Sequence, residues 1–216
     1  MLLRAPLVRN AHSLDDAIQF ALENGNVDPN RVFLVGFSGG GYAALGAYLR
    51  SRHDFNSVYT WAPISDLREF FNQSTLSKLP YANHVLACTN STLGDMNHDE
   101  LRARSPIHFE VEKKPDAQLH IFAGINDGYV GTVSLSHSIK FFNFLAERFG
   151  FQTSKIPPHD AVDLLSRNID VFSTAKQIGG KKVLYERAND LARLTIFDGE
   201  HEVLWTHQAK LLRDAR

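Results

Sequence analysis

The sequence predicts an α/β domain built on a mostly parallel sheet. Short apolar runs recur at residues 32–35, 57–63, 118–124 and 192–199. Segments with helical periodicity lie between and after them, and each run ends in a glycine-rich or polar turn. Strands that alternate with helices in this way assemble most simply into parallel β-α-β units.

Taken in chain order, Ser13 followed by Asp15 and Asp16 predicts a helix start, with side-chain acceptors and negative charge at the positive dipole end. Ala17, Ile18, Ala21 and Leu22 form one apolar face, and Gly25 is the predicted C-cap. Val27, Asp28, Pro29 and Asn30 are turn formers. The unbroken run at 32–35 suits a strand buried on both faces, and a helix follows over residues 42–49. "SVYTWAP" is the next strand, ending in a loop with Ser65 and Asp66. "QLHIFAG" is another, followed by a helix over "SHSIKFFNFLAERFG". "KKVLYERAN" is expected to pair antiparallel with "ARLTIFDG", which leads into the helical "LWTHQAKLLRD". The whole of 1–216 reads as one catalytic-type domain, with an irregular, lid-like insertion at about 151–185 that carries Pro157, Pro158 and Gly179-Gly180.

Composition narrows the function classes. A hydrophobic content of 44% with 22% charged residues describes an ordinary globular chain. A net charge of -1 offers no electrostatic footing for nucleic acid or an anionic membrane, so neither is expected as a partner. The single cysteine, Cys88, excludes an internal disulfide and a cysteine-based zinc site. "MLLRAPLVRN" is too short an apolar patch for a signal or a membrane span, so the expected location is cytoplasmic. Asn72 and Asn90 head glycosylation sequons that mean little without secretion.

Reactive groups of open α/β sheets collect at the carboxyl ends of the strands. There the sequence places Gly36-Phe37-Ser38-Gly39-Gly40, then Asn126-Asp127-Gly128, then Asp198-Gly199-Glu200-His201-Glu202. Gly36-x-Ser38-x-Gly40 between a strand and a helix is the nucleophile-elbow pattern. A serine on so sharp a turn needs bare backbone two residues before and two after it, and the N–H of Gly39 is aimed to hold an oxyanion. A hydroxyl attacks only when a base takes its proton; His201 fits that role, and Asp127 would fix its tautomer. Each residue alone reads as an ordinary turn or cap; their joint order at three strand ends favours a catalytic triad.

Gly39-Gly40-Gly41-Tyr42-Ala43-Ala44 also matches a dinucleotide fingerprint, but that reading wants an acid closing the next strand, and Asp66 lies beyond it. No Lys-Ser/Thr follows the glycines, against a phosphate-binding P-loop, and His201-Glu202 lacks the second histidine of a zincin helix. Tyr42 and Tyr129 read as packing, His137 as a surface or cap residue, and His159-Asp160 as the opening of a helix.

"VDPNRVFLVGFSGGGYAAL", "WAPISDL", "LGDMNHDELRARSPI", "IFAGINDGYVGTVSLSHSIKFFNFL" and "IFDGEHEVL" together resemble the α/β-hydrolase superfamily, and within it prolyl-oligopeptidase-like serine hydrolases. The resemblance runs from about residue 14 to about 204. It implies a three-layer α/β-hydrolase-like fold with Ser38 as nucleophile, Asp127 as acid and His201 as base. It also implies hydrolysis of a peptide or carboxylic ester through an acyl-enzyme, with no metal or organic cofactor. "DGYVGTVSLSHS" looks more like the esterase-type members.

The front departs from that pattern: about thirty residues precede the elbow strand, where the family has several strands and an oxyanion loop. An N-terminally truncated fold follows as the expectation. One oxyanion donor would then be lost, typically about 10²–10³ in rate. The elbow strand would be an apolar sheet edge that invites pairing with a second copy. The alternative to an enzyme is an incomplete hydrolase-fold remnant acting as a binding or interaction module.

Overall fold

A computed structural model describes residues 8–111, 113–172 and 174–215, with side chains from residue 14 onward. Its centre is one sheet of six strands: β1 (Phe33–Phe37), β2 (Ser57–Trp61), β3 (Gln118–Gly124), β4 (Gln177–Ile178), β5 (Lys181–Ala188) and β6 (Ala192–Phe197). The spatial order is β1-β2-β3-β6-β5-β4. The first four in that order run parallel, and β5 joins β6 antiparallel, as "KKVLYERAN" led us to expect.

Alternation along the strands divides the core between two faces. Leu119, Ile121, Leu194 and Ile196 point to one face, under helices α2 (Gly39–Arg50) and α6 (Ser136–Arg148). Phe141 and Phe142 of α6 are fully buried there, and each such side chain contributes roughly 1.5–3 kcal/mol. Tyr59, Trp61, Phe122 and Phe197 point the other way, toward α8 (Trp205–Asp214). Burying the Trp61 indole requires a partner for its N–H, and Gln208 of α8 accepts it at 2.7 Å.

Strand β1 lies at the sheet edge and is only half-buried, not covered on both faces as its unbroken apolar run suggests. Apolar continuity records what a strand could bury; the neighbours decide what it does bury. At either end of β1, Val32 and Ser38 turn their backbone polar groups toward β2: the Val32 carbonyl accepts from Asn56, and the Ser38 N–H donates to Trp61. By alternation, Phe33, Val35 and Phe37 face their backbone groups outward. Among the described residues no strand pairs with that edge.

Helix α1 spans Val8–Asn24 and ends at Gly25 as expected, but it starts well before Ser13. Nothing in the sequence between Val8 and Ser13 breaks a helix, so Ser13 falls inside it. Asp15 is not at a free helix end either; it is buried and accepts the Ser51 hydroxyl at 2.5 Å, tying α1 to the end of α2.

Three helices between β2 and β3 form a third cluster through Ile64, Leu67, Phe70, Phe71, Val85 and Leu101. These are α3 (Leu67–Leu76), α4 (Tyr81–Thr89) and α5 (His98–Arg104). Their starts have local causes. Asp66 accepts the N–H groups of Arg68 and Glu69, and Asn97 accepts that of Glu100. The span 151–185 carries α7 (Pro158–Leu165) and β4, and it sinks Ile156 and Leu164 into the main core. Asp160 opens α7, as read from the sequence.

Candidate active site

Ser38 sits between β1 and α2 with φ 53 and ψ -116. Side chains avoid that backbone region, at a cost of roughly 1–3 kcal/mol, so neighbouring contacts must hold it. The Ser38 N–H donates to the Trp61 carbonyl at 2.9 Å, and its carbonyl accepts from Tyr42 N–H at 2.9 Å. A Cβ on Gly36 would collide with the Gly40 carbonyl and the Ala44 methyl, so the bare backbone two residues before Ser38 is a steric need.

The same argument fails for Gly40. A Cβ there, or on Gly39, meets nothing within 4 Å. The glycine with a packing reason is Gly41, where a Cβ would come within 2.9 Å of Pro63 Cα. Gly41 is where α2 passes the chain that follows β2, so the crowded position is one residue later than the motif implies. The N–H groups of Gly39 and Gly40 precede the first intrahelical bond of α2, at its positive end.

Across the sheet, Asp127 is 2% exposed. Its Oδ1 accepts from the N–H of Gly128 at 2.9 Å and of Val133 at 3.0 Å. Its Oδ2 lies 2.8 Å from His201 Nδ1. Since a carboxylate only accepts, the ring proton belongs on Nδ1, which leaves the Nε2 lone pair free.

Three glycines make this pairing possible. Gly128, at φ 87, turns the loop after Asp127. A Cβ on Gly131 would strike both Asp127 Oδ1 and the His201 Cβ, and one on Gly124 would strike the backbone of Gly199 and Glu200. The histidine loop can therefore cross the end of β3. The His201 ring rests on the Phe37 ring, centroids 4.6 Å apart, which puts the imidazole beside the residue that precedes Ser38.

The other residues singled out in the sequence fall elsewhere. Tyr42 packs against the α3–α5 cluster and donates its hydroxyl to the Arg104 carbonyl at 2.6 Å; burial pushes its pKa up. Tyr129 is exposed and bonds the Leu165 carbonyl. Cys88 is half-buried. Asp66, the acid that a dinucleotide site would need, is occupied in capping α3.

His137 is not a surface residue: it is fully buried at the start of α6, and burial holds its pKa down at about 4. Its exposure could not be read from α6 alone, because α3, which covers it, had no predicted counterpart. Phe37, Gly41 and Gly131 likewise gave no local signal, since their roles depend on chain segments far away in sequence. Among the described residues no group of three or more His, Cys, Asp or Glu side chains is placed to hold a metal, and no helix is long and apolar enough to cross a membrane.

A family model described as "Prolyl oligopeptidase family" matches residues 10–155. That span includes Ser38 and Asp127 and stops short of His201. No curated protein matches this sequence. Among solved structures, dipeptidyl peptidase 4 of Porphyromonas gingivalis is similar, with a TM-score of 0.61 at 18% identity over 96% of this chain and 23% of that one. A puromycin-hydrolyzing peptidase of Mycobacterium tuberculosis is similar with a TM-score of 0.52 at 21% identity, over 67% of this chain and 20% of that one. The chain thus spans about a fifth to a quarter of the length of these structures. The mixed sheet with helices on both faces is an α/β-hydrolase-like fold, present here as a fraction of those larger chains.

Proposed function

This chain belongs to the prolyl oligopeptidase family, and on that premise we propose that its single domain carries a serine-hydrolase centre cleaving a peptide bond or a carboxylic ester. Ser38 is the nucleophile, His201 the base, Asp127 its orienting acid and Gly39 N–H an oxyanion donor. The observation that carries this reading is the 2.8 Å bond between Asp127 Oδ2 and His201 Nδ1, with the His201 ring against Phe37, the residue before a serine in a strained backbone conformation.

The chemistry follows from that tautomer. Nε2 of His201 takes the Ser38 hydroxyl proton as Oγ bonds to the substrate carbonyl carbon. The carbonyl electron pair moves onto oxygen, which the N–H of Gly39 receives at the positive end of α2. When the pair returns, the bond to the leaving nitrogen or oxygen breaks, and His201 gives that atom its proton. Water then attacks the acyl-Ser38 ester with His201 again as base, releasing the acid and restoring the serine hydroxyl. Asp127, locked by two N–H donors, stabilises the transient imidazolium without itself taking the proton.

A fluorophosphonate probe tests the reading directly. We expect saturable labelling of the native chain that disappears in Ser38→Ala. One observation favours a second reading, a binding or interaction module: the elbow stands on a strand whose outer edge is unpaired among the described residues. Absence of labelling in folded native protein selects that reading.

A further inference from the structure

The mechanism uses Asp127 and leaves unexplained a part-buried polar cluster behind it, centred on the buried His137. The acid loop closes on itself: Asp127 Oδ1 bonds Val133 N–H, and Gly128 packs tightly on Ser134. At the closing end, Ser134 N–H donates to Gln73 Oε1 of α3 at 3.4 Å. The same oxygen lies 3.2 Å from His137 Nε2. On its other side, His137 Nδ1 is 3.3 Å from the Ser65 N–H. Gln73 Nε2 donates to Glu69, which also takes the Ser136 hydroxyl and the Lys140 ammonium.

We propose that His137 is a positioning residue for Asp127: its Nε2–H anchors Gln73, Gln73 holds the Ser134 backbone, and that backbone fixes the Val133 N–H on the Asp127 carboxylate. The inference rests on the hydrolase reading above for its consequence in catalysis, but the tether itself is independent of it.

The proton inventory is consistent. Gln73 Oε1 can only accept, so Nε2 of His137 donates; Ser65 N–H can only donate, so Nδ1 accepts. A neutral ring with its proton on Nε2 satisfies both, whereas a charged ring would leave Nδ1–H facing the Ser65 N–H. Burial keeps the ring neutral at neutral pH, against the pull of Glu69, Asp66 and Asp127 and with the help of Lys140. Phe70 of α3 meets the ring edge-on at 6.3 Å and closes the space around it.

The test uses His137→Phe, which keeps a ring in place and removes both bonds, and His137→Gln, whose amide can again donate to Gln73. The readout is the proton NMR resonance of His201 Nδ1–H in the full chain, identified by its loss in His201→Ala. We expect His137→Phe to shift or broaden that resonance and to slow fluorophosphonate labelling of Ser38 about tenfold or more, because a misplaced group is costly in a preorganised site. His137→Gln should restore most of both. An unchanged resonance in a folded His137→Phe chain overturns the proposal. If that variant does not fold, Gln73→Leu cuts the same tether and is judged by the same criterion. If the native chain takes up no fluorophosphonate, the hydrolase reading fails, and the resonance alone decides the tether.

Discussion

The two halves of the candidate site are held in different ways. On the acid side, Asp127 is buried, each carboxylate oxygen is engaged, and its loop is tied back to α3 through Gln73. On the nucleophile side, Ser38 is half-exposed at the end of an edge strand, and Gly39 and Gly40 stand open to solvent. The first half combines close glycine approaches with side-chain hydrogen bonds to a buried carboxylate. The second has backbone hydrogen bonds and a few close approaches, which an added methyl either violates or does not touch.

Three substitutions or conditions test that contrast. The largest effect is expected from Gly36→Ala, whose new methyl would meet the Gly40 carbonyl and Ala44. It should destabilise the chain by about 3 kcal/mol, read from urea unfolding, and it should distort the elbow. A cost below about 1 kcal/mol would show that the turn is looser than its contacts imply.

Of comparable size, for each histidine, is acidification. Burial holds His137 and His120 each at about 4, below the ordinary value of about 6.5. Between those values the unfolded chain binds more protons than the folded one, so stability is complete above about pH 6.5 and falls toward pH 4. Each histidine accounts for at most about 3 kcal/mol across that window. His120→Phe should preserve its stacking on Tyr59 and reduce the slope of stability against pH by about 1.4 kcal/mol per unit. A slope that does not change would place the acid sensitivity elsewhere.

The smallest effect is expected from Gly40→Ala, where a Cβ has open space in the first turn of α2. There the substitution should stabilise by roughly 0.5–1 kcal/mol through helix propensity. A loss as large as that of Gly36→Ala would mean that the open side of the elbow is occupied in solution.

Much of this was legible in the sequence. The strands at 57–61, 118–124 and 192–197, the helices after the last two of them, and the antiparallel pairing of β5 with β6 appear where pattern and turn chemistry put them. Ser38, Asp127 and His201 stand at three strand ends in the expected order. What was not legible has a common cause. The burial of His137 and Asp15, the need for Gly41 and not Gly40, and the half-exposed state of β1 each depend on a partner distant in the chain.

The sequence by itself determined the local backbone: a serine on a tight strand-to-helix turn, a strand-end aspartate, a strand-end histidine, and the alternation that sorts side chains between the two faces of the sheet. Those features follow from steric rules and periodicities that act within a few residues. Only the tertiary structure decided that His201 Nδ1 meets Asp127 Oδ2 at 2.8 Å, that Phe37 backs the imidazole, and that a neutral histidine inside the protein braces the acid loop. Close approach and burial are properties of pairs of segments, and a single segment carries no record of the one that will cover it.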